Sequence, residues 1–176
     1  MVFLHMTPKI LLTGGSGFLG TALLGHPAFH DALVVGRTPP IMSEHFFSIV
    51  LDEFSDYKGI LSGIDIVVHA AARAHIMDET SDNPLNEYRK INTYATLNLA
   101  RQAASEGVKR FIFISSIKVL GEKTELGHPF TSVDPFNPKD PYGVSKVEAE
   151  LGLQKLSEET NMEVVIIRPP LVYGKG

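Results

Sequence analysis

Cysteine is absent from this chain of 176 residues, and its absence excludes several kinds of chemistry. Without a thiol there is no disulfide, no thiolate nucleophile and no cysteine-built metal site. The seven histidines are scattered and none forms a His-x-x-x-His pair, so no metal site is predicted. No apolar run approaches the length of a membrane span. The stretch 1–6 is apolar but lacks the basic start of a signal peptide, so a cytoplasmic protein is expected.

An excess of positive charge is also lacking. The formal net charge is −4, which gives no electrostatic footprint for nucleic acid or for an anionic membrane. Hydrophobic residues make up 44% of the chain and charged residues 20%, as in ordinary soluble globular proteins. A chain of this length can bury one substantial core, so residues 1–176 are interpreted as a single domain.

Short apolar runs alternate with helical patterns along the chain. Strands are predicted at 9–13, 32–35, 46–51, 64–70, 110–115 and 162–167, and helices at 18–24, 55–61, 83–106 and 141–159. Gly107 is expected to end the third of these helices and Pro141 to open the fourth. The irregular stretch 121–140 is long enough to indicate a functional loop. The expected fold class is α/β, a doubly wound parallel sheet of the Rossmann type, with ligands at the carboxyl ends of the strands.

A glycine-rich segment follows the first predicted strand. Gly14, Gly17 and Gly20 are spaced by three residues, and the segment opens a helix that begins with Phe18 and Leu19. Glycines let the backbone approach a pyrophosphate closely, and free N–H groups at the helix start favour an anion. The alternative is a plain turn between a strand and a helix. In this context we expect a dinucleotide site, with Gly14, Gly17, Phe18 and Leu19 among its contacts.

Three further features lie near the ends of later strands. Arg37 follows the second strand, where an NAD site usually carries an acid. One interpretation is that Arg37 pairs with the 2′-phosphate of NADP, which favours NADP over NAD. The alternative is that it is simply an exposed arginine at the start of a loop. Asp52 is either an acceptor for the adenine amine or a plain turn aspartate. Small side chains after the fourth strand either let a cofactor lie against bare backbone or pack between strand and helix; they are Ala70, Ala71 and Ala72.

A tyrosine and a lysine four residues apart carry the strongest chemical signal. Tyr142 and Lys146 share one face of the fourth predicted helix, and Ser116 ends the fifth strand. A nearby ammonium and a positive nicotinamide ring would lower the tyrosine pKa from about 10 and favour a phenolate base. Ser116 would hydrogen-bond the same substrate oxygen. Together with the glycine loop, these residues predict hydride transfer, and His69 is expected to be a structural polar residue rather than a catalyst.

Taken in order, these motifs resemble one known family. They are Thr-Gly-Gly-Ser-Gly-Phe-Leu-Gly at 13–20, His-Ala-Ala-Ala-Arg at 69–73, Ile-Asn-Thr around Asn92, Phe-Ile-Ser-Ser at 113–116, Pro-Tyr-Gly-Val-Ser-Lys at 141–146 and Arg-Pro-Pro-Leu-Val-Tyr-Gly at 168–174. The chain is similar over essentially its whole length to the extended short-chain dehydrogenase/reductases, the nucleotide-sugar epimerase and dehydratase group. The runs Ala-Ala-Arg-Ala-His-Ile-Met and Ser-Ile-Lys-Val-Leu-Gly-Glu resemble a bacterial branch that acts on UDP-N-acetylhexosamines, often in surface-polysaccharide synthesis.

The resemblance implies roles for the motif residues. Tyr142 would be the base, Lys146 would orient the nicotinamide ribose and lower the tyrosine pKa, and Ser116 would position the reacting hydroxyl. Asn92 would support the active-site helix or a water there. The segment 169–171, which begins with Pro169 and ends with Leu171, would border the nicotinamide.

Two departures from the family pattern and the chain's length bear on function. Arg37 stands where NAD-retaining epimerases carry an acid, and Lys118 stands where many members have a small polar residue. Relatives continue into a smaller substrate-binding domain, whereas this sequence stops at Gly176, so we expect a truncated piece that lacks most sugar-specificity residues. By itself it is expected to bind dinucleotide weakly and to turn over no sugar. A homodimer through the two long helices is a further expectation.

The function expected from the resemblance is that of an NAD(P)-dependent nucleotide-sugar epimerase, which oxidises a hydroxyl of a UDP-linked sugar, expected at C4, and reduces it again. A nucleotide-sugar dehydrogenase or reductase is the near alternative. A dehydratase is disfavoured because Ile117 and Lys118 follow Ser116 where dehydratases carry an acidic pair. A non-catalytic NAD(P)-binding regulatory protein is the alternative of a different class, but it would not need a general base.

Overall fold

A single parallel sheet forms the centre of the molecule. The computed structural model describes residues 8–74 and 81–174. Within them, six strands pair in the order β3-β2-β1-β4-β5-β6, and every neighbouring pair is parallel. The strands are β1 (Ile10–Thr13), β2 (Leu33–Gly36), β3 (Phe46–Ser48), β4 (Ile66–His69), β5 (Arg110–Ile114) and β6 (Glu163–Ile167). Strand order reverses between β1 and β4, which is where a doubly wound sheet opens a crevice, so the expected fold class is confirmed.

Across residues 8–74 and 81–174, four α-helices lie between the strands. They are α1 (Phe18–Leu24), α2 (Pro84–Arg89), α3 (Thr96–Ser105) and α4 (Pro141–Glu159), with short 3₁₀ turns at Pro27–Phe29 and Ile117–Val119. Pro141 occupies the first turn of α4, and Asp140 caps that helix by accepting from the Gly143 N–H at 2.6 Å. Gly107 follows α3 with a φ of 81°, the left-handed conformation that ends many helices. Both helix boundaries expected from the sequence are confirmed.

The predicted continuous helix over 83–106 is wrong in one respect, because α2 and α3 are joined by a π-helical turn, Lys90–Ala95. That wider turn directs two consecutive side chains at α4. Asn92 donates to the Ser145 hydroxyl at 3.0 Å, and Thr93 donates to the Ser145 carbonyl at 2.9 Å. Consecutive residues of a regular α-helix point about 100° apart, so the local widening accommodates both contacts.

The predicted helix over 55–61 is also wrong, since this segment forms turns. Side chains of α3 bind its backbone instead. Asn98 and Gln102 each donate to the Ser55 carbonyl at 2.8 Å, and the Gln102 amide oxygen accepts from the Tyr57 N–H at 2.8 Å. These long-range bonds satisfy backbone groups that a local helix would otherwise pair. Strand β3 likewise ends at Ser48, three residues before the expected boundary.

The core lies on both faces of the sheet. On one face, Leu99 and Leu153 from α3 and α4 are fully buried in a cluster with sheet residues such as Phe111. On the other face, Leu24 of α1 packs in a smaller cluster with Val34. Because helices cover both faces of the sheet, the carboxyl ends of the strands remain as the place where a ligand can bind.

Helix α1 packs so closely against the preceding loop that the glycines at the contact leave no space for a Cβ. A Cβ on Gly20 would overlap the carbonyl oxygen of Gly14. Gly14 itself has a φ of 75°, and a Cβ there would lie 2.6 Å from the Ala71 nitrogen. The spacing of these glycines is therefore set by backbone contacts that hold the loop against the end of β4.

A Gly20→Ala substitution should destabilise the protein by about 1–3 kcal/mol, because the added methyl must displace the Gly14 carbonyl. Gly25→Ala is the matched control, since its Cβ would meet nothing closer than 3.4 Å and its φ of −71° suits alanine. Urea unfolding of both variants measures the difference. Equal stability of the two would contradict the close packing of α1 against the loop.

Candidate active site

A cleft of about 590 Å³ lies beyond the carboxyl ends of β1, β2 and β4. Five parts of the chain line it: the glycine loop, the segment after β2, the segment after β3, the segment after β4, and the region where α2 meets the π turn. The lining residues are Gly14, Ser16, Gly17, Gly36, Arg37, Thr38, Val50, Leu51, Ala70, Ala71, Ala72, Arg73, Ala74, Glu87, Lys90 and Ile91. The sequence-predicted glycines, alanines and Arg37 therefore meet in one concave site.

Asp52 does not line this cleft. Its carboxylate accepts from the Phe54 N–H at 2.8 Å and from the Ser55 hydroxyl at 2.7 Å, and these bonds hold its pKa below the ordinary value. These contacts are those of a turn aspartate. Phe18 and Leu19 also lie outside the lining, at the start of α1.

Arg37 is an exposed cation at the rim of the cleft. Among the described residues it has no ion pair, whereas Lys90, in the same lining, binds Glu87 at 2.6 Å. The guanidinium is thus available to an anion at the end of β2.

His69 is buried at the end of β4 and has partners on both ring nitrogens. The Thr13 hydroxyl lies 2.7 Å from Nδ1 and the Thr96 hydroxyl 2.9 Å from Nε2. Burial, aided by the charge of Lys146, lowers the pKa of His69 to about 3, so the ring stays neutral. The structural role expected for His69 is confirmed.

Tyr142 and Ser116 face each other from the first turn of α4 and the end of β5. Burial raises the pKa of Tyr142 above its ordinary value, and its hydrogen bond with the Ser116 hydroxyl lowers it by a smaller amount. The expected lowering of this pKa included the charge of a bound nicotinamide and stays a prediction. The cation that acts on the phenol is Lys118 rather than Lys146.

Lys146 is almost completely buried one helical turn after Tyr142. Its ammonium donates to the Ile114 carbonyl at 2.7 Å and lies 4.0 Å from the centre of the Phe113 ring. Burial lowers the pKa of Lys146 to about 7, against the opposing influence of Glu150. The lysine is therefore held at the end of β5 by backbone and ring contacts.

Glu150 is a buried residue of the site that the sequence reasoning missed. It accepts from the Ser115 hydroxyl and forms an ion pair with Arg168 at 2.7 Å. Arg168 also donates to the Ser132 carbonyl at 3.1 Å, which fixes the long loop against α4. Glu150 follows Lys146 by four residues on the same helix face, and that spacing is the signal that could have found it.

Two other expected residues lie close to this group. Asn92 binds the backbone of Arg73, accepting from its N–H at 2.8 Å and donating to its carbonyl at 3.1 Å. With its bond to Ser145, this supports α4, as expected. The Pro169 carbonyl accepts from the Ile117 N–H at 3.0 Å, next to Ser116, while Leu171 is 77% exposed.

The described residues contain no group of three or more histidine, aspartate or glutamate side chains that could hold a metal ion. Within the same part of the chain, no helix has the length and apolar character needed to traverse a bilayer.

Comparison with known proteins identifies the family. The sequence pattern described as the NAD dependent epimerase/dehydratase family matches residues 10–176. The chain belongs to this family. The resemblance drawn from the motifs is thereby confirmed.

Family members of known activity are similar to this chain. The UDP-glucose 4-epimerase of Vibrio cholerae is 46% identical, in an alignment that covers 97% of this chain and 54% of that protein. The UDP-glucuronic acid 4-epimerase of Bacillus cereus, solved in complex with NAD, superposes with a TM-score of 0.76 at 27% identity, covering 94% of this chain and 57% of that one.

A third relative is the UDP-N-acetylglucosamine 4-epimerase of Methanobrevibacter ruminantium M1, solved in complex with UDP-N-acetylmuramic acid. It superposes with a TM-score of 0.76 at 26% identity and covers 93% of this chain and 55% of that one. The chain thus spans about half the length of the family members it matches.

A Glu150→Gln substitution should lower stability by about 3–5 kcal/mol, because it leaves the Arg168 guanidinium without its buried counter-charge. It should also lower the pKa of Lys146 further, since the Glu150 charge opposes the effect of burial. Glu159→Gln, which removes an exposed partner of Lys155, should cost less than about 1 kcal/mol. Urea unfolding compares the two, and similar losses would argue against the buried pair.

Proposed function

We propose that this chain is the cofactor-binding half of an NAD(P)-dependent epimerase of nucleotide sugars. The observation that supports this most strongly is the grouping of Ser116, Tyr142 and Lys146 at the end of β5, beside the glycine-lined cleft. A general base, a second hydroxyl and a dinucleotide-sized cleft at the sheet's switch point are the parts that hydride chemistry on an alcohol requires.

The residues that line the cleft fit a dinucleotide. Gly14 and Gly17 line the cleft without side chains, so a pyrophosphate could approach their backbone closely, and Ala70–Ala72 leave the wall after β4 open. Arg37 would hold the 2′-phosphate of NADP, which favours NADP over NAD. Pro169 and Leu171 would border the nicotinamide end.

The proton chemistry belongs to Tyr142. Its phenolic oxygen takes the proton of a sugar hydroxyl while the Ser116 hydroxyl binds the same oxygen, and it returns the proton when the ketone is reduced. The nicotinamide, when bound, supplies the hydride acceptor and donor for these two steps. Lys146, a turn away, would orient the bound ribose.

A UDP-linked sugar oxidised at C4 is the proposed substrate, because the similar epimerases act on UDP-glucose, UDP-glucuronic acid and UDP-N-acetylglucosamine. The run at 71–77 that favoured a UDP-N-acetylhexosamine extends into 75–80, which lie outside the described residues. The run 116–122 lies within the described residues. On its resemblance we retain a UDP-N-acetylhexosamine as the finer proposal for the substrate.

The alternatives differ in what they require of the site. A dehydrogenase or reductase of nucleotide sugars would use the same three residues and would release its oxidised or reduced product. A non-catalytic NAD(P)-binding regulator would need the cleft but not Tyr142. The intact set of Ser116, Tyr142 and Lys146 therefore favours an enzyme.

The remaining proposals concern the whole protein. A homodimer through the two long helical segments is supported by the half-exposed Leu151 on α4. We place the protein in the cytoplasm, where nucleotide sugars are made, and expect residues 1–176 alone to bind dinucleotide without turning over sugar, because positioning of the substrate is a large part of catalysis.

Tyr142→Phe, in the product of the gene's full reading frame, should keep dinucleotide binding and lower kcat about 10²–10⁴-fold, because only the proton-transferring oxygen is removed. Tyr94→Phe, the same change on the π turn, is the control and should leave kcat unchanged. A UDP-sugar epimerisation assay measures both variants. Near-normal turnover by Tyr142→Phe would remove the tyrosine from the mechanism.

Arg37→Ala should weaken NADP binding about tenfold or more and leave NAD binding nearly unchanged, since a hydrogen bond to a charged group contributes about 1.5–3 kcal/mol. Arg101→Ala, which removes an exposed arginine of α3, is the control for general loss of charge. Calorimetric titration with each dinucleotide gives the affinities. Equal affinities for NAD and NADP in the unaltered protein would refute the role of Arg37.

A further inference from the structure

Lys118 contacts both halves of the candidate catalytic group, although the mechanism above gives it no part. Its backbone N–H donates to the Ser116 hydroxyl at 3.3 Å. Its ammonium donates to the Asp140 carboxylate at 2.6 Å. The other oxygen of Asp140 accepts from the Gly143 N–H at 2.6 Å and so caps α4 two residues before Tyr142.

These bonds form one chain from Ser116 to the first turn of α4. Other contacts also join the region after β5 to the start of α4: the hydrogen bond between Ser116 and Tyr142, the bond from Lys146 to the Ile114 carbonyl, and the Asn137 N–H, which donates to the Val119 carbonyl at 2.9 Å. The ion pair adds a direct link between Lys118 and the cap of α4. Lys118 and Asp140 are each about one-third exposed, and Glu122 also lies 3.2 Å from the ammonium. A partly desolvated pair that also caps a helix is better defined in geometry than an isolated surface pair.

Several charged and titratable groups face the Tyr142 phenol. Asp140, on its own element, raises the pKa of the phenol, and Lys118, after β5, lowers it. Tyr88 of α2 contacts the phenol ring edge-on and raises the pKa slightly, while Ser116 lowers it by hydrogen bonding. Lys146, one turn along α4, directs its ammonium to the Ile114 carbonyl.

We propose that Lys118 and Asp140 are a positioning pair that fixes Ser116 relative to Tyr142 and balances the charge around the phenol. The inference rests on the proposed function, since it concerns the residue assigned as the base. Asp140 is needed as the cap of α4, but its negative charge disfavours a phenolate two residues away. Lys118 offsets that charge, which a small polar residue at 118 would not do.

Replacing Lys118 and replacing Asp140 should shift the pKa of Tyr142 in opposite directions. Lys118→Met removes a positive charge, so the pKa of Tyr142 should rise. Asp140→Asn removes a negative charge and keeps a side chain that caps helices well, so the pKa should fall. Lys118→Arg keeps the charge and the ion pair and should leave the pKa close to that of the unaltered protein.

The test is a pH titration of the phenol carbon of Tyr142 by ¹³C NMR, in the product of the full reading frame with labelled tyrosine. The chain contains five tyrosines, and Tyr142→Phe assigns the resonance. Lys155→Met is the control, because it removes a lysine at the far end of the same helix, which forms an ion pair with the exposed Glu159. The titration needs neither cofactor nor substrate, so failure of the proposed function would not disturb it.

Shifts in opposite directions for Lys118→Met and Asp140→Asn, with no shift for Lys155→Met, would support the pair. The limb of the kcat/KM profile that reports the base should then move to higher pH in Lys118→Met, and Lys118→Arg should restore it. An unchanged Tyr142 pKa in Lys118→Met, or shifts of the same sign in both variants, would overturn the inference. If Lys118→Met does not fold, failure of Asp140→Asn to lower the pKa overturns it equally.

Discussion

Burial of the Lys146 ammonium is the constraint on which the rest of the site depends. Removing a charged amine from water costs several kcal/mol, and the protein offsets this with the Ile114 carbonyl and the carboxylate of Glu150. The bond to the Ile114 carbonyl requires α4 to keep one register against β5. Tyr142 lies one turn before the lysine and Ser116 two residues beyond Ile114, so the same register brings the two hydroxyls together.

The other half of the site depends on backbone contact rather than on charge. Gly20 lies against the Gly14 carbonyl, and Gly14 lies against the backbone of Ala70 and Ala71, so the loop after β1 is held at the end of β4. This arrangement leaves the cleft open toward β2 and Arg37. The packed loop thus lines the cleft, and the buried lysine holds the second group of residues at the end of β5.

Features that depend on residues close together in the chain could be predicted from the sequence. The apolar strands, the start of α4 at Pro141 and its charge-bearing face were all readable from the sequence. The π turn at Lys90–Ala95 was not, because it depends on contacts with Ser145, about fifty residues away. The raised pKa of Tyr142 was missed for a related reason, since it depends on how deeply α4 is buried.

The central proposal is that a nicotinamide dinucleotide lies in this cleft with its reactive ring at Tyr142. A crystal structure of the protein with NAD or NADP tests that proposal most directly. We expect the pyrophosphate against Gly14 and Gly17, the adenosine end toward Arg37 and the nicotinamide beside Ser116 and Tyr142. A dinucleotide bound elsewhere, or one whose nicotinamide points away from Tyr142, would contradict it.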